Sequence, residues 1–454
     1  MNKKVFSKLL WLPFIYRWLF DKDLRNAFER LFWSKNQMDE FKLNKFKSIL
    51  SYAYKYVPYY RELYDRAGIK PEYINTLEDI NKIPILTKEE LKKAILEKSI
   101  FSTEKRKWKI IETHTTGSTG TPTTLFFDQF CVKARDINTL RAFFINGIFP
   151  DKKFILLWRR KKLGKREFLK TILGIFRYIP VIDVMDVKNT ALDENKILSL
   201  LKDIKKFNPD VIRGYVSALS ILSKFIKKYN LDIKVEKIIA SAEYLSESTW
   251  NELEENFSCP VINYYGGTEA APIASSLINT RNLVVFEDFY FVNIVDDENK
   301  EVQSSIPGRI LITDYHNLYM PLIRYEIGDI AEWDSVSIGP FRTFKEIKGR
   351  INDVFVLPGK RLLFSHNWHI YFRDILGLKF FKVIQEKVDY IRIYLVPFDE
   401  ELFRKSFDKV KKMVEESLGS EVKVEWNIVD NLPLDSGDKF HAVKSKINLK
   451  DIDI

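Results

Sequence analysis

Cysteine is nearly missing from this sequence: 454 residues carry only two, Cys131 and Cys259, in unrelated contexts. Two isolated thiols exclude a disulfide framework and a CxxC metal site, and they suit a reducing compartment. Unbroken apolar runs long enough to cross a bilayer are also lacking. The opening MNKKVFSKLLWLPFIYRWLF comes nearest, but Lys8, Pro13 and Arg17 interrupt it and no small-residue cleavage site follows. It is expected to form a helix packed on the protein's own core. The alternative is a helix lying on a membrane, anchored by Trp11, Phe14, Trp18 and Phe20. Internal repeats and low-complexity segments are absent. Basic residues outnumber acidic ones, 73 to 62. That excess is spread along the chain, so it favours anionic ligands in general without the concentrated patch or module of a nucleic-acid binder.

What is there describes an ordinary folded protein, 46% hydrophobic and 30% charged, with aromatics at 14% to fill its cores. The length is too great for one comfortable core, so two or more domains are expected. Residues 40–100 read as helices: Leu43, Phe46, Ile49, Leu50 and Ala53 recur at helical spacing, and Pro58 and Pro84 punctuate. From about residue 205 strand and helix alternate. Asp210–Tyr215, Lys237–Ser241 and Pro260–Tyr265 read as strands. Between them lie a helical face from Leu219 to Tyr229 and a helix Glu247–Phe257 behind the N-cap Ser246. That order implies a parallel sheet with ligands at the carboxyl ends of its strands. Three loops fall there: Gly214-Tyr215, Ser241-Ala242-Glu243 and Gly266-Gly267-Thr268-Glu269. After residue 350 the strand Tyr390–Val396, the helix Glu401–Leu418 and the strand Val422–Ile428 predict a compact α+β unit. The boundary is placed near Gly349–Asp353, giving units 1–348 and 349–454.

Five short segments carry chemistry. His114-Thr115-Thr116-Gly117-Ser118-Thr119-Gly120-Thr121-Pro122 combines glycines with hydroxyls, which suits a polyphosphate tail. It is not a Walker loop, because no Lys-Ser or Lys-Thr follows the second glycine. In Tyr264-Tyr265-Gly266-Gly267-Thr268-Glu269 an aromatic at a strand end can stack on a base and a carboxylate can hold magnesium. Arg324-Tyr325-Glu326-Ile327-Gly328-Asp329 places an Asp just beyond a strand, where it can accept ribose hydroxyls. Lys348-Gly349-Arg350-Ile351-Asn352-Asp353 offers Arg350 at the expected boundary, and Ser436-Gly437-Asp438-Lys439-Phe440 presents one lysine from a glycine turn. Each alone is compatible with a plain turn or a solvated side chain; their order is the signal.

In that order the sequence resembles the acyl-adenylate-forming ligase superfamily, in the branch of phenylacetate–CoA ligase and its capsule-biosynthesis relatives. Leu50-Ser51-Tyr52-Ala53, Val57-Pro58-Tyr59-Tyr60, Ile83-Pro84-Ile85-Leu86-Thr87-Lys88 and Gly214-Tyr215-Val216-Ser217-Ala218-Leu219 resemble this branch specifically. The resemblance implies an α/β fold, a large N-terminal adenylation domain with mixed sheets and a small mobile C-terminal α+β domain. Thr115, Thr116, Gly117, Ser118, Thr119 and Gly120 would grip the ATP tail. Ser241, Ala242 and Glu243 would line the adenine site, with Tyr265 stacking on the base beside Gly266. Thr268 would contact the α-phosphate, Glu269 would hold Mg2+, Asp329 and Arg350 would bind the ribose, and Lys439 would be delivered by the mobile domain. The chain departs from the pattern at Asn352, where an Asp is usual at the hinge. It also has Thr121 where many relatives carry lysine, and one extra residue before Lys439.

The implied reaction is ATP- and Mg2+-dependent activation of a small carboxylic acid as acyl-AMP. Transfer to coenzyme A is the expected second step, and transfer to an amine, such as an amino sugar of a surface polysaccharide, is the alternative. A non-catalytic, membrane-associated assembly protein that keeps the fold is the reading from a different class. The expected location is the cytoplasm, with the N-terminus offering a peripheral contact to the inner face of the membrane and no nucleic-acid partner.

Overall fold

The computed structural model describes residues 14–115, 123–158, 177–183, 194–278, 280–350, 354–363, 365–372, 375, 377–397, 399–430, 432 and 442–447. Helices built from locally consistent signals come first. Lys35–Tyr56 starts at a capping box, in which Ser34 and Gln37 satisfy each other's backbone N–H groups, and it buries Phe46, Ile49, Leu50 and Ala53. Pro58 then opens Pro58–Arg66 at its first turn, where a missing N–H costs nothing. A second capping box, Thr87 with Glu90, starts Lys88–Leu96. Of the four aromatics proposed as membrane anchors, Phe14 stacks on Phe144 at 4.5 Å and Trp18 meets Phe28 edge-on at 5.3 Å. Phe20 is exposed, and Trp11 lies outside the described residues. No helix among the described residues is long and apolar enough to cross a membrane.

A short antiparallel hairpin, β1 (Ile111–His114) and β2 (Thr124–Phe127), precedes the helix Gln129–Phe144. The main sheet then begins with β3 (Lys153–Trp158), β4 (Arg177–Asp183), β5 (Val211–Tyr215), β6 (Lys237–Ser241) and β7 (Val261–Tyr265), all parallel. The helices Val216–Lys228 and Glu247–Phe257 cross between β5, β6 and β7. Ser246 caps the second of them, its hydroxyl accepting the Thr249 N–H at 3.1 Å. Beyond β7 the sheet turns antiparallel through β8 (Ala274–Leu277), β9 (Thr280–Val285), β10 (Tyr290–Val295), β11 (Pro307–Asp314), β12 (Tyr325–Ile338) and β13 (Phe341–Arg350). The strand order is β10-β11-β12-β13-β9-β8-β7-β6-β5-β3-β4. The expected parallel series is therefore one half of a mixed sheet. One expectation is corrected: Asp329 lies within β12, opposite Arg350 of β13, rather than beyond a strand end. Residues 326–329 of this long strand are only partly buried and mostly polar, and in a linear sequence such a segment looks like a loop after a strand.

The two faces of the parallel half are covered differently. Ile212, Ile238, Ala240 and Val261 pack with the crossover helices. Val211, Ile239, Ile262 and Tyr264 pack on Gln129–Phe144 and the N-terminal helices. A buried charge cluster fastens those helices to the turn between β9 and β10. Asp288 accepts two hydrogen bonds from Arg141, at 2.7 and 2.8 Å, and one from Arg30 at 2.6 Å. Next to it Glu287 holds Lys42 and Arg342. After residue 350 a separate core forms around Phe355, Trp368, Val383, Ile393 and Val414. There the strands β16 (Leu378–Lys387), β17 (Tyr390–Pro397), β18 (Lys423–Ile428) and β19 (Val443–Ser445) make a four-stranded sheet, behind a short hairpin of β14 (Phe355–Leu357) and β15 (Arg361–Leu363).

Candidate active site

Three loops converge at the carboxyl ends of β5, β6 and β7. At the end of β6, Ala242 is held at φ +68°, a left-handed conformation that costs an alanine about 1–2 kcal/mol. This bend brings the Glu243 carboxylate to the Ser217 N–H at 2.7 Å, at the start of a helix with no cap from its own preceding residue. Glu243 thus ties the β6 loop to the β5 loop. The hydroxyls of Ser241 and Ser217 are buried beside this tie and lack hydrogen-bond partners among the described residues. Orphaned buried donors at strand ends point to a ligand that completes them.

At the end of β7 the chain doubles back, with the Gly267 N–H bonded to the Ala270 carbonyl at 2.8 Å. A Cβ on Gly266 would sit 2.9 Å from that same carbonyl oxygen, so the turn requires glycine there. Arg135, from the helix Gln129–Phe144, clamps this turn. One terminal nitrogen donates to the Thr268 carbonyl at 3.1 Å and the other donates to the Glu269 carbonyl. The guanidinium lies 3.8 Å from the Phe127 ring centroid and 3.9 Å from Asp314. The same helix is capped by Asp128, which accepts from Phe130 and Cys131 and also from Leu318 and Tyr319. The hairpin, the helix and the Thr268–Glu269 turn therefore form one continuous support. With its backbone clamped, Glu269 leaves its carboxylate without a hydrogen bond or ion pair among the described residues.

The sequence-predicted ribose pair is assembled by strand register. The Tyr265 hydroxyl donates to Asp329 at 2.7 Å, and Arg350 reaches the other oxygen of Asp329 at 3.5 Å. Burial, and then the Asp329 charge, push the Tyr265 hydroxyl well above its ordinary range, so it remains a donor. Its ring meets Phe344 edge-on at 6.0 Å. Lys88 joins this neighbourhood: burial lowers its pKa, Lys92 and Arg350 lower it further, and Glu269 acts in the opposite direction. Sequence reasoning named Lys88 only within a resembling segment, and it missed Arg135 and Asp128. Polar residues at helical spacing on an otherwise apolar face, Arg135, Asn138 and Arg141, were the available signal.

Thr115 closes the neck of the β1–β2 hairpin, its hydroxyl accepting the Thr123 N–H at 2.9 Å. Thr116, Gly117, Ser118, Thr119, Gly120, Asn352 and Lys439 lie outside the described residues. Among the described residues no group of three or more metal-binding side chains occurs. One unpaired carboxylate nonetheless fits Mg2+, which is commonly held by one or two carboxylates with nucleotide phosphates and water supplying the rest. Arg135→Met is expected to lower the turnover of this site by about 100-fold through misplacement of the Thr268–Glu269 turn, with partial rescue in Arg135→Lys. Steady-state kinetics that separate kcat from KM, alongside thermal melts, check this. A loss confined to melting temperature would reduce Arg135 to a structural role.

Residues 360–446 match the CapK C-terminal domain family. The chain is 24% identical over 417 residues to a Staphylococcus aureus protein named Protein CapK, covering 89% of this chain and 88% of that one. It is 23% identical over 342 residues to the phenylacetate-coenzyme A ligase of Pseudomonas putida, covering 72% and 73%. A solved structure of 2-hydroxyisobutyryl-CoA ligase in the postadenylation state superposes with a TM-score of 0.74 at 16% identity, covering 91% and 90%. The resemblance to the adenylate-forming ligases, in the branch of phenylacetate–CoA ligase and CapK, thus holds in sequence and in fold.

Proposed function

We propose that this chain is an AMP-forming carboxylate ligase that activates an acid with ATP and passes the acyl group to coenzyme A. The observation that carries the reading is a juxtaposition. An unpaired Glu269 carboxylate on a clamped turn lies in the same neighbourhood as the Tyr265–Asp329–Arg350 constellation, above orphaned hydroxyls at the ends of parallel strands. Similarity to ligases of this chemistry supports it.

In the first step an oxygen of the acid carboxylate forms a bond to the α-phosphorus of ATP. The bond from that phosphorus to the bridging oxygen breaks, and the electron pair leaves with pyrophosphate. The carboxylate is already ionised near neutral pH, so no general base is needed. The task of the protein is to gather anions and stabilise charge. Asp329 and Arg350 would fix the ribose, while Ser241, Ala242, Glu243, Tyr265 and Gly266 would surround the base. Thr115 to Gly120 would hold the phosphate tail, and Thr268 would orient the α-phosphate. Glu269 would hold Mg2+, which when bound supplies positive charge at the phosphate oxygens. Lys439 would add a cation from the smaller unit, 349–454, acting as a lid that moves about Asn352 over the larger unit, 1–348. In the second step the coenzyme A sulfur attacks the acyl carbon, the bond to the AMP oxygen breaks and the thiol proton passes to solvent.

ATP–pyrophosphate exchange with Mg2+ and a panel of acids, with no acceptor present, tests the first step. Acid-dependent exchange is expected, and its absence across the panel would overturn the reading. Adding coenzyme A should then release free AMP and a thioester. Turnover that needs an amine instead would move the acceptor assignment to amide formation.

A further inference from the structure

Arg213 is the middle residue of β5, paired with Leu156 of β3 on one side and Ile239 of β6 on the other. Its guanidinium is boxed by aromatic rings, 4.4 Å from the centroid of Tyr264, 5.5 Å from Trp158 and 5.9 Å from Phe143. No described residue gives it a hydrogen bond or an ion pair, and its Nε is shut off from solvent without a partner. Other deeply placed arginines are treated differently: Arg30 and Arg141 share Asp288, and Arg342 holds Glu287 and Glu301. Rings attract a cation, but they offer little to its five N–H donors. A partly buried guanidinium with unused donors calls for an acceptor.

The position says where that acceptor comes from. Arg213 lies two residues inside the carboxyl end of its strand, about 7 Å below the loops. Tyr264, the nearest ring, immediately precedes the Tyr265 that is bonded to Asp329. The Tyr264 hydroxyl lies 3.3 Å from Thr139 of the covering helix, and Trp158 packs on Tyr215 at 4.7 Å. A cation, two hydroxyls and the rings of Phe143 and Tyr264 therefore lie together near the carboxyl ends of the strands, with Trp158 beside the cation and linking it to Tyr215.

Resting on the adenylation reading, we infer that the acid carries a second anionic group, which Arg213 binds while the first carboxylate is activated above it. The substrate class is then a dicarboxylic acid, or an acid with an equally charged far substituent, its middle lying against Trp158, Tyr215 and Phe143. A bidentate carboxylate would use the unused donors of Arg213 and leave the rings as walls.

The test is ATP–pyrophosphate exchange with matched pairs of acids that differ only at the far end, such as glutarate against valerate and terephthalate against 4-methylbenzoate. The wild-type chain is expected to favour the diacid by about 100-fold or more in kcat/KM, because a site built for a polar group rejects the analogue lacking it. Arg213→Leu should abolish that preference and raise activity on the neutral partner, and Arg213→Lys should restore part of it. Exchange with neutral acids at equal or better efficiency in the wild type would overturn the inference and leave adenylation standing. Exchange with no acid of either kind would overturn adenylation itself, and this inference with it. The comparison within the wild type needs no variant to fold.

Discussion

Glu269→Gln is expected to lower acid-dependent ATP–pyrophosphate exchange by about 100- to 1,000-fold, the range seen when one preorganised electrostatic group is removed from a reacting centre. The substitution keeps shape and hydrogen-bonding capacity, so Arg135 continues to hold the main-chain carbonyls of residues 268 and 269. What disappears is the single negative charge that no described cation pairs with directly. If that charge holds Mg2+, the loss is largest at low Mg2+ and shrinks as the ion is raised, because weaker affinity is offset by mass action. Exchange rates across a Mg2+ titration make the comparison. A variant with wild-type Mg2+ dependence would remove Glu269 from the proposed metal site. The background also predicts a normal melting temperature, since the side chain makes no hydrogen bond that the fold relies on.

Asp288→Ala is expected to cost about 3–5 kcal/mol of stability, since it leaves Arg141 and Arg30 buried without their counter-charge. Arg141 also donates to the Ala27 carbonyl at 2.9 Å, so the damage spreads to the N-terminal helices and their docking on the sheet. Urea unfolding followed by intrinsic fluorescence reads this directly, and a change below about 1 kcal/mol would show that the cluster relaxes into water. The same cluster sets an acid limit. Burial alone would raise the Glu287 pKa, but Arg342 and Lys42 override it and hold the carboxyl at about 2. Asp288 is likewise held below its ordinary range against burial, by Arg141 and Arg30. With folded values below unfolded ones, their contribution is fully present above the ordinary carboxylate range. It is lost as pH falls from about 4.3 toward 2. Unfolding curves at pH 6, 4 and 3 should show the decline, and Glu287→Gln should flatten its share.

These two predictions draw on different kinds of information. Glu269 was visible in the sequence because a carboxylate after Gly-Gly at a strand end is a local pattern. Asp288 was invisible, because nothing near it in the chain names Arg30 or Arg141, which lie 258 and 147 residues away. The same division runs through the whole molecule. The helices within residues 40–100, the N-cap at Ser246 and the alternation of strand and helix from residue 205 are set by contacts within a few residues, so periodicity and, at Ser246, cap chemistry were enough. Ser241, Glu243 and Tyr265 could be assigned to strand ends for the same reason.

Asp329 marks the limit of such reading. It was expected just beyond a strand, whereas strand register between β12 and β13 places it within β12, opposite Arg350 and bonded to the Tyr265 hydroxyl. Arg135 and Arg213 go further still. In the sequence they are two basic residues among 73. Only packing distinguishes them, because one helix carries Arg135 to a turn more than 130 residues away and three rings from separate elements close around Arg213. Short-range geometry and residue type set the local elements and the order of the motifs, and hence the class of chemistry, so these could be read from the amino acids alone. The tertiary structure decided which charges are neutralised and which are left with unused donors or acceptors. That balance depends on burial and on partners distant in the chain.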